Sequence, residues 1–128
     1  TINTTFANGV LVVSGYYTEP VGGLVGIVFR VQDDLNYWEF FADGLGSYLY
    51  AISAGVPTLV ASSSQPHGPN IPIRLMVSAT SGNVLTCQAN ADTQLSVTNA
   101  TFAAATQWGL VSNGGPSYFD NWYFCSLP

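Results

Sequence analysis

The chain has 128 residues, of which 48% are hydrophobic and only 7% charged, and its net charge is −5 at pH 7. Two arginines without any lysine cannot form a basic patch, which excludes binding to nucleic acid or to an anionic membrane surface. The high hydrophobicity excludes a disordered chain, and no apolar run approaches the roughly 18 residues of a membrane-spanning helix. The length predicts a single domain over residues 1–128. From the charge and the hydropathy we expect no nucleic-acid partner and no membrane insertion.

Short apolar or alternating segments, bounded by Gly, Pro, Asn or Asp, recur along the whole sequence. No segment shows the helical spacing of apolar residues. In chain order we predict strands at residues 3–6, 10–17, 24–32, 37–43, 48–53, 58–63, 73–79, 83–89, 94–98, 107–112 and 118–125. This pattern of many short strands is typical of an all-β sandwich or barrel.

Residues 26–41 are predicted to form a β-hairpin with Asp and Asn residues in its loop. Side chains alternate between the two faces of a strand, so pairing outward from the loop places Arg30 opposite Glu39. The same pairing places Gln32 opposite Tyr37. These four side chains would share one mixed face with Val28 and Phe41. The other face would be an apolar core face, made of Ile27, Phe29, Val31, Trp38 and Phe40.

Two further side chains of these strands are informative. Trp38 falls on the apolar face of the hairpin, so we expect it in the core. Arg74 lies in the middle of a strand, on the face opposite to its apolar neighbours. Two explanations of the mid-strand arginines remain open: a structural ion-pair network on a solvated sheet face, or a functional surface.

Three segments carry a resemblance to a known family. They are residues 26–40 (Gly-Ile-Val-Phe-Arg-Val-Gln-Asp-Asp-Leu-Asn-Tyr-Trp-Glu-Phe), the strand–turn–strand at 73–85, and the closing segment at 107–122 with its Phe-Asp-Asn-Trp. In order and spacing they resemble concanavalin A-like jelly-roll domains. This superfamily includes lectins, carbohydrate-binding modules, laminin G-like domains and some glycoside hydrolases and lyases. The resemblance implies an antiparallel two-sheet jelly-roll sandwich.

The resemblance also implies a concave sheet face that often holds a glycan. The aromatic and hydrogen-bonding side chains predicted for that surface are Arg30, Gln32, Tyr37, Glu39, Arg74 and Trp122. For Trp122, buried packing is an equal alternative. We therefore expect a carbohydrate-binding, lectin-like module whose partner is a glycan or polysaccharide. We expect it to be extracellular, either secreted or at the surface of a cell or virion.

The acids and the histidine do not indicate catalysis. Glycoside hydrolysis usually needs two carboxylates that flank the scissile bond. Glu19 and Glu39 are the only glutamates, and Glu19 precedes a proline in a predicted loop. His67 is the only histidine, has no acid near it in sequence and is expected to be solvated. We expect that the protein is not an enzyme.

Metal and disulfide sites are the remaining expectations. Asp120 and Asn121 match a position that often helps to bind structural calcium in the family, so the resemblance implies calcium as a cofactor there. The oxygen-rich loop at residues 33–36 has a simpler explanation in ordinary turn chemistry. Cys87 and Cys125 predict one disulfide if their strands are neighbours, and two free thiols otherwise.

The composition supports a second kind of function. Few charges, no lysine and many Ser, Thr, Asn and Gly residues also suit a subunit that is largely covered in a homo-oligomer or larger assembly. Jelly rolls recur in virus capsids and surface appendages. The alternative is therefore a structural assembly protein, such as a virion decoration protein or an extracellular fibre subunit.

Overall fold

Eleven strands form the part of the chain that the computed structural model describes, residues 2–3 and 6–128, and this part contains no helix. The strands are β1 Ile2–Asn3, β2 Gly9–Tyr17, β3 Leu24–Asp33, β4 Asn36–Asp43, β5 Ser47–Ser53, β6 Val56–Ser63, β7 Ile73–Ala79, β8 Val84–Ala89, β9 Leu95–Thr98, β10 Gln107–Asn113 and β11 Ser117–Ser126. From β2 onward, the predicted bounds agree within two residues. The first predicted strand falls partly on residues 4–5, which lie outside the described residues. With no helix among the described residues, none there is long and apolar enough to cross a membrane.

The strands pair into two antiparallel sheets. The six-stranded sheet has the order β1-β10-β3-β4-β5-β6, and the five-stranded sheet has the order β11-β2-β7-β8-β9. Consecutive strands in the chain cross between the sheets at β1–β2, β2–β3, β6–β7, β9–β10 and β10–β11. The predicted all-β, two-sheet sandwich is confirmed.

Apolar side chains from the facing sides of the two sheets form the core, because alternate residues of each strand point inward. An aromatic cluster lies at its centre. The ring of Phe29 is 6.2 Å from that of Trp38 and 5.5 Å from that of Trp108, which in turn meets Phe124 edge-on at 5.1 Å. Trp38 is fully buried, as predicted, and its Nε1 donates to the carbonyl of Thr101 at 2.9 Å.

A β-bulge in β3 overturns the predicted pairing of Arg30 with Glu39. In the structure Val28 lies opposite Glu39, and the register shifts between Phe29 and Asp33. Arg30 occupies this irregular segment with a φ of 46°, in the left-handed region. Between the pairs Phe29–Trp38 and Asp33–Asn36, three residues of β3 face one residue of β4. Extra residues of this kind redirect the side chains of a strand, so Arg30 leaves the outer face.

The Arg30 side chain is completely buried and joins three connecting segments. Its guanidinium donates to Asn8 Oδ1 at 3.2 Å, to the carbonyl of Thr80 at 3.1 Å and to that of Asn99 at 3.5 Å. Burial lowers the pKa of this guanidinium, since no carboxylate compensates for the lost water. Arg30 is therefore a structural residue, and its predicted place on an exposed ligand-binding surface is wrong.

The predicted disulfide is also wrong, because Cys87 and Cys125 are free. They lie on β8 and β11, which are separated by β2 and β7 in the five-stranded sheet. Three strand spacings amount to about 14 Å, far beyond the reach of a disulfide. Cys87 is buried in the core, where burial raises the pKa of its thiol, whereas Cys125 is exposed.

His67 is buried rather than solvated, contrary to the expectation. It lies in the connection from β6 to β7, and its Nε2 is 2.6 Å from Asp92 Oδ2. Its backbone N–H donates to the carbonyl of Asp43 at 3.0 Å, and its carbonyl accepts a hydrogen bond from the Tyr17 hydroxyl. His67 and Asp92 are 25 residues apart in the sequence, so local patterns did not predict this pair.

Candidate functional site

The outer face of the six-stranded sheet presents four aromatic side chains around one carboxylate. On β4, Tyr37, Glu39 and Phe41 point outward because Trp38, Phe40 and Ala42 fill the core. On β5, Tyr48 lies opposite Phe41, and Tyr50 lies opposite Glu39. We call Tyr37, Glu39, Phe41, Tyr48 and Tyr50 the aromatic face; all five are half-buried.

The rings of the aromatic face support one another. Phe41 is almost parallel to Tyr50, at an interplanar angle of 3° and 5.9 Å between centroids, and lies 5.2 Å from Tyr48. On the neighbouring strand β3, Gly26 pairs with Phe41. A Cβ at Gly26 would lie 2.7 Å from the Cβ of Phe41 and 2.4 Å from the Phe40 carbonyl oxygen. The glycine therefore allows close packing of β4 and its aromatic side chain against β3.

The electrostatics of the aromatic face centre on Glu39. Burial raises the pKa of the Glu39 carboxyl. Burial also raises the pKa of Tyr37, and the negative charges of Glu39 and Asp34 add to that effect. With Arg30 turned into the interior, Glu39 has no ion-pair partner among residues 2–3 and 6–128. The face thus offers a hydrogen-bond acceptor within an aromatic surface.

A groove of about 220 Å³ lies at the hairpin end of this face, lined by Val28, Val31, Asp33, Asp34 and Tyr37. Asp33 shapes the loop: its carboxylate accepts from the Leu35 N–H at 2.9 Å and from Asn36 Nδ2 at 2.8 Å. These hydrogen bonds lower the pKa of Asp33. This is the turn chemistry expected for the segment.

The structure separates the six predicted ligand-binding residues. Tyr37 and Glu39 belong to the aromatic face. Gln32 is exposed near the end of β3 and precedes Asp33, which lines the groove. Arg74 and Trp122 lie instead on β7 and β11 of the five-stranded sheet. The six residues therefore do not form the single surface that was predicted. Trp122 is 54% exposed, so the buried alternative does not hold.

Three members of the aromatic face were not among the predicted ligand-binding residues: Phe41, which was placed on the same face as Tyr37 and Glu39, and Tyr48 and Tyr50 on the next strand. The signal was present, since residues 37, 39 and 41 share a parity on one predicted strand and residues 48 and 50 on the next. What the sequence did not provide was the register that aligns the two strands.

The predicted calcium ligands lie outside the aromatic face, on β11. Asp120 Oδ1 accepts a hydrogen bond from the backbone N–H of Asn121 at 2.7 Å. Within the described part of the chain, no group of three or more His, Cys, Asp or Glu side chains is arranged to hold a metal ion.

Comparisons with known proteins identify the fold. No family model and no curated protein sequence matches the chain. Carbohydrate-binding module CBM66 from Bacillus subtilis superimposes with a TM-score of 0.73 at 15% identity, covering 93% of this chain and 75% of the module. CG-16, a homodimeric agglutinin from chicken liver, gives 0.69 at 12% identity, covering 91% of this chain and 90% of the agglutinin. An alginate lyase from Pseudomonas aeruginosa gives 0.55 at 12% identity, covering 98% of this chain and 68% of the lyase.

These similarities define the fold as the concanavalin A-like jelly roll that the sequence motifs indicated. At such low identity they do not define a function, because one fold carries many functions.

Proposed function

We propose that the protein is a non-catalytic carbohydrate-binding module whose ligand lies on the aromatic face. The observation that carries this proposal is the arrangement of four half-buried aromatic rings around the carboxylate of Glu39, which has no ion-pair partner in the described part of the chain. A binding site of this kind combines apolar area with a few placed polar groups. The agglutinin and the carbohydrate-binding module among the structural neighbours support the same class of ligand.

The chemistry of a pyranose ring suits this surface. Its C–H face packs against tyrosine rings, and its hydroxyl groups donate to a carboxylate or accept from tyrosine O–H groups. Tyr48 and Tyr50 provide such rings beside Glu39, and the groove at Tyr37 extends the surface. No cation belongs to the aromatic face, which favours a neutral glycan over an anionic one.

The non-catalytic part of the proposal rests on the number of carboxylates. A glycosidase needs a general acid and a second carboxylate at a defined separation. The aromatic face includes one carboxylate, Glu39. The two acids of the adjoining groove, Asp33 and Asp34, belong to the hairpin turn, where Asp33 is held by hydrogen bonds to Leu35 and Asn36. We propose a secreted or particle-surface location, where a module of this kind meets glycans.

A glycan array followed by titration calorimetry on the best ligand tests the proposal. We expect Tyr50→Ala and Glu39→Gln to weaken binding at least tenfold, about 1.4 kcal/mol. The first removes a ring that packs on the sugar, and the second replaces a charged acceptor with a weaker neutral one. Tyr123→Ala is the matched control: this tyrosine is 54% exposed on the other sheet. Repeating the titration in EDTA tests calcium. Unchanged affinity in both aromatic-face variants would refute the proposal.

A second candidate function is a subunit of an assembly. The observation that favours it is the set of large apolar side chains left exposed at loops and sheet edges, among them Val21 at 87%, Leu45 at 77% and Ile71 at 60%. Such exposure often marks an interface. Analytical ultracentrifugation over a wide concentration range tests it: a stable monomer that binds no partner copy would exclude homo-assembly.

A further inference from the structure

The five-stranded sheet carries a second groove, on the opposite side of the molecule from the aromatic face. It has a volume of about 230 Å³ and is lined by Ser14, Gly15, Tyr16, Pro72, Tyr118, Asp120 and Asn121. β11, β2 and the start of β7 contribute these residues. The outward-facing residues form two adjacent rows across the strands, one apolar and one polar.

The apolar row consists of Tyr118, Tyr16 and Pro72. Tyr118 pairs with Tyr16 across β11 and β2, and their rings stack at 4.9 Å with an interplanar angle of 25°. Pro72 immediately precedes β7, which pairs with the other edge of β2. Tyr118 remains 53% exposed, so an aromatic surface is available to a ligand.

The polar row consists of Asp120 and Ser14, which line the groove, and of Arg74, which lies beside Ser14 on β7 outside the groove lining. Asp120 pairs with Ser14 across β11 and β2, and Ser14 pairs with Arg74 across β2 and β7. With neighbouring strands about 4.8 Å apart, the three backbone positions span about 10 Å. Arg74 is exposed, and no acid forms an ion pair with it within the described residues. The row therefore presents an acceptor, a hydroxyl and a donor side by side.

A bulge in β11 fixes the acidic end of the polar row. The register with β2 shifts between Asp120 and Tyr123, and Asn121 has a φ of 54°. Its backbone N–H donates to Asp120 Oδ1 at 2.7 Å, which orients the carboxylate. Bulges commonly redirect side chains beside binding sites.

From this geometry we infer a second saccharide site, in which one neutral pyranose ring packs on the apolar row and bonds through its hydroxyl groups to the polar row. The two rows lie two residues apart along the strands, about 7 Å, so a pyranose ring that packs on the apolar row directs its hydroxyl groups toward the polar row. Asp120 and Arg74 carry opposite charges at the two ends of the polar row, which disfavours a purely anionic or cationic ligand. The volume, below the roughly 300–1,000 Å³ of sites for drug-sized ligands, suits a single ring.

The inference rests on the proposed function only for the class of ligand, since the two sites share no residue. Two sites on opposite sheets make the domain bivalent. A bivalent module gains avidity on a branched polysaccharide and can cross-link chains that a one-sided module cannot.

NMR titration of the ¹⁵N-labelled protein tests the second site. The probes are methyl β-glucopyranoside, methyl β-galactopyranoside and methyl α-mannopyranoside at millimolar concentrations. We expect one of them to shift the amide signals of Ser14, Tyr16 and Asp120. Tyr118→Ala and the isosteric Asp120→Asn are each expected to weaken this binding at least tenfold. Tyr123→Ala, on the same strand beyond the bulge, is expected to leave it unchanged.

The outcomes separate the two proposals. Shifts at the groove that persist in Tyr50→Ala support the second site, even if the aromatic face proves inactive. Shifts confined to the aromatic face support the proposed function and overturn the second site. A groove that responds to none of the three probes, or whose shifts survive both Tyr118→Ala and Asp120→Asn, also overturns it.

Discussion

Arg30 and Arg74, the two basic residues of the chain, occupy opposite environments. Arg30 is fully buried, and its guanidinium holds the segments of Asn8, Thr80 and Asn99 together through hydrogen bonds. A buried cation is tolerated because oxygen acceptors replace part of its hydration. Arg74 keeps its side chain in solvent on the outer surface of β7.

We therefore predict that Arg30→Ala lowers the free energy of unfolding by about 2–4 kcal/mol, because it leaves a cavity in the interior and removes the donor from three partly buried acceptors. Arg74→Ala serves as the matched control and should change stability by less than about 0.5 kcal/mol. Urea denaturation followed by tryptophan fluorescence measures both. Equal stability of the two variants would contradict the structural role of Arg30.

At the scale of strands, the order within the five-stranded sheet determines the state of the cysteines. β8, with Cys87, and β11, with Cys125, are kept apart by two intervening strands. Their side chains also point in opposite directions: Cys87 is buried in the core and Cys125 is exposed. Strand order thus prevents a covalent bond between the only two cysteines of the chain.

We predict one fast-reacting thiol per native molecule and two in denaturant, measured with a chromogenic disulfide reagent. Cys125 reacts in the native protein because it is accessible, whereas Cys87 is protected by burial that raises its thiol pKa. Cys125→Ser provides the control and should abolish the native reaction. Finding no thiol in denatured, non-reduced protein would mean that the strand order is wrong.

At the scale of the whole molecule, His67 connects the two sheets. Its backbone bonds to Asp43 at the end of β4 and to Tyr17 at the end of β2, and these strands belong to different sheets. Its side chain meets Asp92 in the connection from β8 to β9. A polar connection between sheets is thereby fixed at one end of the sandwich.

We predict that His67→Ala and Asp92→Ala each destabilise the protein by roughly 1–3 kcal/mol, because one removes the partner of the partly buried Asp92 carboxylate and the other the partner of the buried imidazole. The double variant should lose less free energy of unfolding than the two single variants together, since it leaves neither side chain without its partner. A double-mutant cycle by thermal or urea unfolding measures the coupling. Strict additivity would show that the two side chains do not interact.

Much of the fold was accessible from the sequence because strands depend on local patterns. Alternating apolar residues and turn residues fixed the extents of β2 to β11 to within two residues, and the three family-like segments indicated the jelly roll. The candidate site was only partly accessible. Tyr37 and Glu39 were placed on one surface by parity, whereas Arg30 was misplaced because a bulge shifts the register, and no local pattern signals it.

The amino-acid sequence by itself determined that this protein is an all-β sandwich with a low charge and an aromatic-rich set of strands. These properties follow from composition and from the period of two along a strand. Only the tertiary structure decided which side chains meet: Glu39 with tyrosines instead of Arg30, Arg74 in line with Asp120, and Cys87 apart from Cys125. Contacts of this kind depend on strand order and register, which long-range packing selects.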